Sequence, residues 1–264
     1  MPHPIDYAMH AILATKIERV RRTAIAAGGQ VTWDFSQCRN PVRSLICGHG
    51  ATSGGICEMV SAKWLEMHAR GGHIASWIQR SDGSLDPNRI RQLMQWFGIG
   101  VTLHPDRMRG GSGGGNDWDQ PVATQNWLEL HGIKRKTKVV ADFFQQAGGA
   151  GWQYSHGGGE RRRGGSQRRV LAQQLGEEIT RSFGTYKMVM FDGPKFAHTC
   201  AAWSERDVAF FDPNFGEFWF EDRRAFVRWF PTFWHTAGYG APVIGLSEGY
   251  DVREYFMPLT RNAA

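Results

Sequence analysis

Between residues 186 and 220 the chain becomes a succession of short apolar segments, and this run constrains the fold more than any other feature. Tyr186–Phe191, Phe196–Trp203 and Val208–Phe211 are each of strand length. Asp192-Gly193-Pro194 and Ser204-Glu205-Arg206-Asp207, which separate them, have turn chemistry. Segments joined this tightly pair as antiparallel neighbours, because a parallel connection needs about a dozen residues or more. Phe218–Phe220 reads as a further strand and residues 250–257 as a closing one.

Upstream the period changes from two to about 3.6. Ile12, Leu13, Ile17, Val20 and Ala24 give a helix over 8–27, which Gly28-Gly29 stops. Residues 30–36 alternate like a short strand, and a Gly- and Pro-bearing loop follows. Ile56–Ala69 reads as a helix with Val60, Trp64, Leu65 and His68 on one side. Asp86-Pro87 starts another, ended at Gly98, and 120–131 is a further short helix. Ser166 caps a helix running to Gly184, and 221–236 reads as an aromatic-rich helix. Helices first and an antiparallel meander afterwards make the class α+β. Trp33, Trp64, Trp203, Trp219, Trp229 and Trp234 are assigned to the core rather than to ligand stacking.

Composition narrows the function. Hydrophobic residues make up 41% and aromatics 12%, too many for a disordered chain. Four cysteines in 264 residues are too few for a disulfide scaffold. No apolar stretch reaches the ~18 residues of a membrane span. Glycine is high at 33 residues, but five lie in Gly110–Gly115 and eight in Gly148–Gly165. We expect one catalytic domain over 1–264 with Gly-rich insertions near 109–118 and 148–165. Neither stretch has the Lys-Ser/Thr of a phosphate loop. Of the net charge of +6, the segment Glu160–Arg169 carries +4. Arg161, Arg162, Arg163, Arg168 and Arg169 are therefore a candidate contact for an anionic membrane or partner, with no nucleic acid expected. Met1-Pro2-His3-Pro4-Ile5-Asp6 lacks a basic patch followed by an apolar run, so no Sec signal is expected. Only 56 residues precede Cys57, so no long pro-segment is expected either.

Three segments carry chemistry. Cys57 follows Gly54-Gly55-Ile56 and opens a helix, where the dipole and free N–H groups favour a thiolate. A thiol at the tip of a buried central helix is how papain-like enzymes present their nucleophile. His198 lies in the apolar strand Phe196-Ala197-His198-Thr199-Cys200, sharing a face with Cys200. Asp212 ends a strand in Phe210-Phe211-Asp212-Pro213-Asn214-Phe215-Gly216-Glu217. Taken singly, each has an ordinary structural explanation: a core thiol, a core histidine, a turn. Together they supply a nucleophile, a base and an orienting carboxylate, with His198 and Asp212 on neighbouring strands.

The three segments resemble the YopT/AvrPphB group of effector cysteine proteases, injected by plant- and animal-associated bacteria. Gly55-Ile56-Cys57 is similar to the nucleophile motif of that group, the His198 strand to its histidine motif, and residues 210–217 to its aspartate motif. The likeness covers about a quarter of the chain. It implies a papain-like fold, in which a helical N-terminal half with a nucleophile-bearing central helix packs on an antiparallel sheet. It also implies a Cys57-His198-Asp212 triad and endopeptidase action on particular host proteins. Prenylated Rho GTPases and host kinases are the substrates of known members. Delivery by a specialised secretion system, action in the host cytoplasm and a monomeric state are the corresponding expectations.

The chain departs from the pattern in one important place. Papain-like enzymes usually carry Gln or Asn five or six residues before the nucleophile, and none occurs here between residues 41 and 56. The Cys57 N–H is expected as one oxyanion donor, with the Thr52 or Ser53 hydroxyl as candidates for the other. Cys38 and Cys47, with His49 nearby, lack zinc spacing, so neither metal nor cofactor is expected. A deamidase, transglutaminase or acyltransferase would use the same triad. A non-catalytic module binding an anionic ligand is the remaining alternative.

Overall fold

The computed structural model describes residues 4–102, 119–136, 172–192, 197–241, 246 and 249–258. Both Gly-rich insertions, the Arg161–Arg169 segment and Ser166 lie outside the described residues.

All strands but Lys134–Arg135 fall where the short apolar and alternating runs predict. They are β1 (Gln30–Trp33), β2 (Lys134–Arg135), β3 (Thr185–Asp192), β4 (Ala197–Ser204), β5 (Val208–Asp212), β6 (Gly216–Phe220) and β7 (Gly249–Phe256). They form one antiparallel sheet in the order β1-β6-β5-β4-β3-β7-β2. The meander β3-β4-β5-β6 is its centre, as short turns require. β2 carries no apolar signal of its own and forms by pairing Lys134 and Arg135 with Phe256 and Tyr255.

Helices cover both faces. On one lie α1 (Pro4–Ala14), α2 (Ile17–Ala26), α8 (Ala172–Ile179) and α9 (Arg223–Ala237). On the other lie α3 (Val42–Cys47), α4 (Cys57–Ala69), α5 (Ile74–Ile78), α6 (Pro87–Thr102) and α7 (Asp119–Leu130). Two cores result. One packs Phe210, Phe218 and Phe220 against Trp229 and Phe233; the other packs Phe211, Ala209 and Ala201 against Trp64 and Val60. β5 is buried along its whole length because both faces are covered, which explains its unbroken apolar sequence.

Several boundaries differ from the sequence expectation. The helix expected over 8–27 breaks into α1 and α2, where the Thr15 hydroxyl donates to Ile12 O at 2.7 Å and competes with the helical ladder. α6 continues through Gly98 to Thr102, since one glycine costs only ~1 kcal/mol and the Ile90-Leu93-Met94 stripe is packed. α3 arises inside the expected loop, with Val42 and Ile46 buried. Trp33, Trp64, Trp229 and Trp234 are buried as expected, and Trp203 and Trp219 are partly buried.

α4 positions the candidate nucleophile. Every residue from Cys57 to Glu66 is buried, so the helix runs through the interior. It lies close on β4, where the small Ala201 fills the facing position and the Ser61 hydroxyl donates to Thr199 O at 3.1 Å.

Candidate active site

Asp212 ends β5, and its side chain builds the turn that follows. Its Oδ1 accepts the Asn214 N–H at 2.8 Å, while Phe215 N–H donates to Asp212 O at 3.0 Å. Pro213 and Asn214 suit such an Asx turn. The turn closes at Gly216, with φ of 112°, where a Cβ would lie 2.6 Å from Trp33 O. Asp212 is fully buried, so its charge needs donors. It has four: His198 Nε2 at 3.0 Å and Asn214 N–H on Oδ1, with Tyr239 OH at 2.7 Å and the Cys200 thiol at 3.2 Å on Oδ2.

His198 stands on β4, one strand over. Its ring lies beside Phe191 and Tyr239, with Nε2 on Asp212, and Cys57 is near enough to act on its charge. Burial, the largest influence on its pKa, disfavours the imidazolium. The Asp212 charge and hydrogen bond, together with Cys57, outweigh it and push the pKa up to about 10. The structure therefore brings Cys57, His198 and Asp212 together, the three residues that the spacing singled out.

Cys57 sits at the first position of α4, and the N-cap residue Ile56 offers no side-chain acceptor. Gly55 before it has φ of 124°, a conformation that L side chains rarely adopt.

The two hydroxyls named for the oxyanion point elsewhere. Thr52 Oγ1 donates to Ile46 O at 2.9 Å, and Ser53 Oγ donates to Asp6 Oδ2 at 2.6 Å. A hydroxyl has a single proton, and in both cases it fastens the loop before α4.

Sequence reasoning missed a ring of polar residues around the three. Gln37, Cys38, Asn214, Tyr239 and His10 are all buried. Asn214 Nδ2 donates to Tyr239 OH at 3.0 Å and lies 3.4 Å from His198 Nε2. Cys38 Sγ is 3.2 Å from Asn214 Oδ1 and 3.3 Å from His10 Nδ1. Burial holds His10 below its usual pKa and lifts the Cys38, Cys200 and Tyr239 groups above theirs, with the Asp212 charge also acting on the last three. Their neutral forms are thus favoured around a single charged centre. Asn214 lay within the recognised turn, whereas no local signal marks Gln37 or Tyr239.

His198, Cys200 and Asp212 have ligand-type atoms within 4.8 Å of one another. Their hydrogen bonds to each other, to Tyr239 and to Asn214 already occupy those atoms. The arrangement provides a thiol near an imidazole that is hydrogen-bonded to a carboxylate, the elements of nucleophilic acyl transfer.

The model of the Peptidase_C58 family, described as Yersinia/Haemophilus virulence surface antigen, matches residues 106–242, more than half of the chain. The chain belongs to this family. The match includes His198 and Asp212, and Cys57 lies upstream of it. The chain is 28% identical over 257 residues to the cysteine protease yopT1 of Yersinia enterocolitica, covering 94% of this chain and 71% of that one. It is 26% identical over 230 residues to the protein adenylyltransferase and cysteine protease IbpA of Histophilus somni, covering 85% of this chain and 5% of that protein. Among solved structures, the Pseudomonas avirulence protein AvrPphB matches with 15% identity and a TM-score of 0.45, over 79% of this chain and 93% of that one. This Peptidase_C58 member is a cysteine-type peptidase.

Proposed function

We propose that the chain is an endopeptidase of the effector type that cleaves specific host proteins through a Cys57-His198-Asp212 triad. One observation carries the reading: a single buried imidazole, hydrogen-bonded to a buried carboxylate, has a thiol at a helix tip close enough to act on its charge. His198 takes the Cys57 proton, and Asp212 orients the ring and balances its charge. The thiolate attacks a substrate carbonyl carbon, and the Cys57 N–H donates to the oxyanion. The tetrahedral intermediate collapses as His198 protonates the leaving amine, and a thioester remains. His198 then removes a proton from water, which attacks the thioester, and the acid leaves as the proton returns to the thiolate.

The YopT resemblance and the yopT1 match support a protein substrate, and the reading places it among host proteins of the small-GTPase or kinase class. Delivery by a specialised secretion system, action in the host cytoplasm and a monomeric state belong to the same proposal. The test is terminal proteomics on a eukaryotic lysate treated with wild type or Cys57→Ala. New peptide termini found only with wild type support the reading. Deamidated side chains or acyl adducts in their place replace it with another triad enzyme, and cleavage retained by Cys57→Ala ends it.

A further inference from the structure

The segment Ser36-Gln37-Cys38, between β1 and α3, belongs neither to the Cys57 helix nor to the hairpin bearing His198 and Asp212, yet it touches both. It is fastened first to the Asp212 turn. Gln37 N–H donates to Pro213 O at 2.7 Å, the Ser36 hydroxyl donates to Asn214 O at 2.6 Å, and the Cys38 thiol donates to Asn214 Oδ1 at 3.2 Å. From this anchored backbone the Gln37 side chain, 2% exposed, reaches across. Its Oε1 accepts the Ile56 N–H at 3.1 Å, and its Nε2 donates to Asn214 Oδ1 at 2.8 Å.

Both partners adjoin the reacting groups. Ile56 immediately precedes Cys57 and is the N-cap of α4. Asn214 lies against the His198 ring, 3.4 Å from Nε2 and 3.5 Å from Nδ1. A single amide thus joins the residue before the thiol to the residue beside the imidazole.

We propose that Gln37 is a positioning residue, whose amide sets the separation of Cys57 and His198 by holding Ile56 at one end and Asn214 at the other. This rests on the triad reading. The two reacting groups come from distant parts of the sequence, and beyond the Ser61 and Trp64 hydrogen bonds further along the helix, α4 packs on the sheet through apolar contacts, which are non-directional. Such packing tolerates small slides, whereas a misplacement of ~1 Å costs ~10²-fold in rate. A buried planar amide satisfied at both ends permits one spacing. Gly55 completes the fit, because a Cβ there would lie 3.2 Å from Gln37 Nε2.

The amide's chemistry defines the variants. Gln37→Met keeps the shape and loses both bonds. Gln37→Glu keeps the acceptor for Ile56 N–H and sets a carboxylate against Asn214 Oδ1. The probe is iodoacetamide on the full chain, with the rate of Cys57 alkylation followed by mass spectrometry across pH 5–10 and the melting temperature measured alongside. Wild type is expected to react readily at pH 6, because the His198 imidazole is there to take the proton of the thiol. Gln37→Met is expected to react ~10²-fold more slowly at pH 6 and to approach wild type at the alkaline end of the range, where hydroxide replaces His198 as the base. A role confined to stability would lower the melting temperature and leave this profile in place, and that result overturns the proposal. Should Gln37→Met fail to fold, the same displaced profile is expected of Gln37→Glu, and a wild-type profile there overturns the proposal equally. The alkylation profile needs no substrate, so failure of the protease reading in lysate remains a separate result.

Discussion

His198 Nε2 meets Asp212 Oδ1 at 3.0 Å across two adjacent strands, although neither residue belongs to the paired part of the β4–β5 ladder. The ladder ends at Ala201 opposite Phe211. One step further Cys200 faces Asp212, and its thiol donates to Oδ2 at 3.2 Å. His198 therefore reaches the carboxylate diagonally, from the open end of the hairpin. That end lies beside the tip of α4, close enough for Cys57 to act on the charge of the ring.

Asp212→Asn should reduce kcat/KM by ~10³-fold or more with the fold intact, because the amide matches the carboxylate's shape but not its charge. Steady-state kinetics with a substrate identified in lysate, with circular dichroism beside it, will measure this. A loss below tenfold in a folded protein would remove Asp212 from the mechanism.

The His198 pKa of about 10, above the ordinary 6.5, fixes a sign. The folded state holds a proton that the unfolded state releases, so the stabilisation is complete below pH 6.5 and declines as pH rises toward about 10. Histidine-labelled NMR should show one imidazole titrating near pH 10, displaced downward in Asp212→Asn. The melting temperature of wild type should fall more steeply over that window than that of Asp212→Asn. Titration of His198 near 6.5 would contradict the arrangement.

Tyr239→Phe removes the OH that donates to Asp212 Oδ2 at 2.7 Å and accepts from Asn214 Nδ2 at 3.0 Å. A hydrogen bond to a charged group contributes ~1.5–3 kcal/mol, so the melting temperature should drop by several degrees. We expect activity to fall ~10-fold, as Asn214 loses one of its fixed contacts. Unchanged calorimetry and kinetics would mean that the hydroxyl supports neither group.

Glu217→Gln tests the scaffold beneath the site. The buried Glu217 on β6 accepts from Trp64 Nε1 at 2.6 Å, Thr32 Oγ1 at 2.8 Å and His73 Nε2 at 3.0 Å, tying α4 and the start of α5 to the sheet. Burial, its largest influence, raises its pKa, but His73, Trp64 and Thr32 together bring it below 4.5. Its stabilisation is therefore present above pH 4.5 and lost as pH falls through the lowered value. Glu217→Gln should cost ~2 kcal/mol at neutral pH, with the difference narrowing in acid. Denaturant titrations at pH 7 and pH 3 will read it, and an equal gap at both would exclude this charge effect.

Gly55→Ala should lower both stability and activity. At φ of 124° the added Cβ is strained and lies 3.2 Å from the Gln37 amide. A loss of ~1–3 kcal/mol is expected by thermal denaturation. Wild-type melting and turnover would show that the loop before α4 adjusts freely.

Features under local chemical control were legible in the order of the residues. Short apolar runs joined by turn residues gave the central meander, because backbone pairing across a tight turn is decided by neighbours in sequence. Glycines followed by a helical period placed Cys57 at a helix tip, and Asp-Pro-Asn placed Asp212 at a strand end. The remaining features arise from long-range packing. β1 joins the edge beside β6, and β2 exists only because β7 lies alongside it. The helices cover two faces rather than one, which makes β5 a fully buried strand. Gln37, Cys38, His10 and Tyr239 acquire their places through contacts with residues far along the chain. Such contacts leave no spacing to read, since a buried polar group is selected by the partner that folding brings to it.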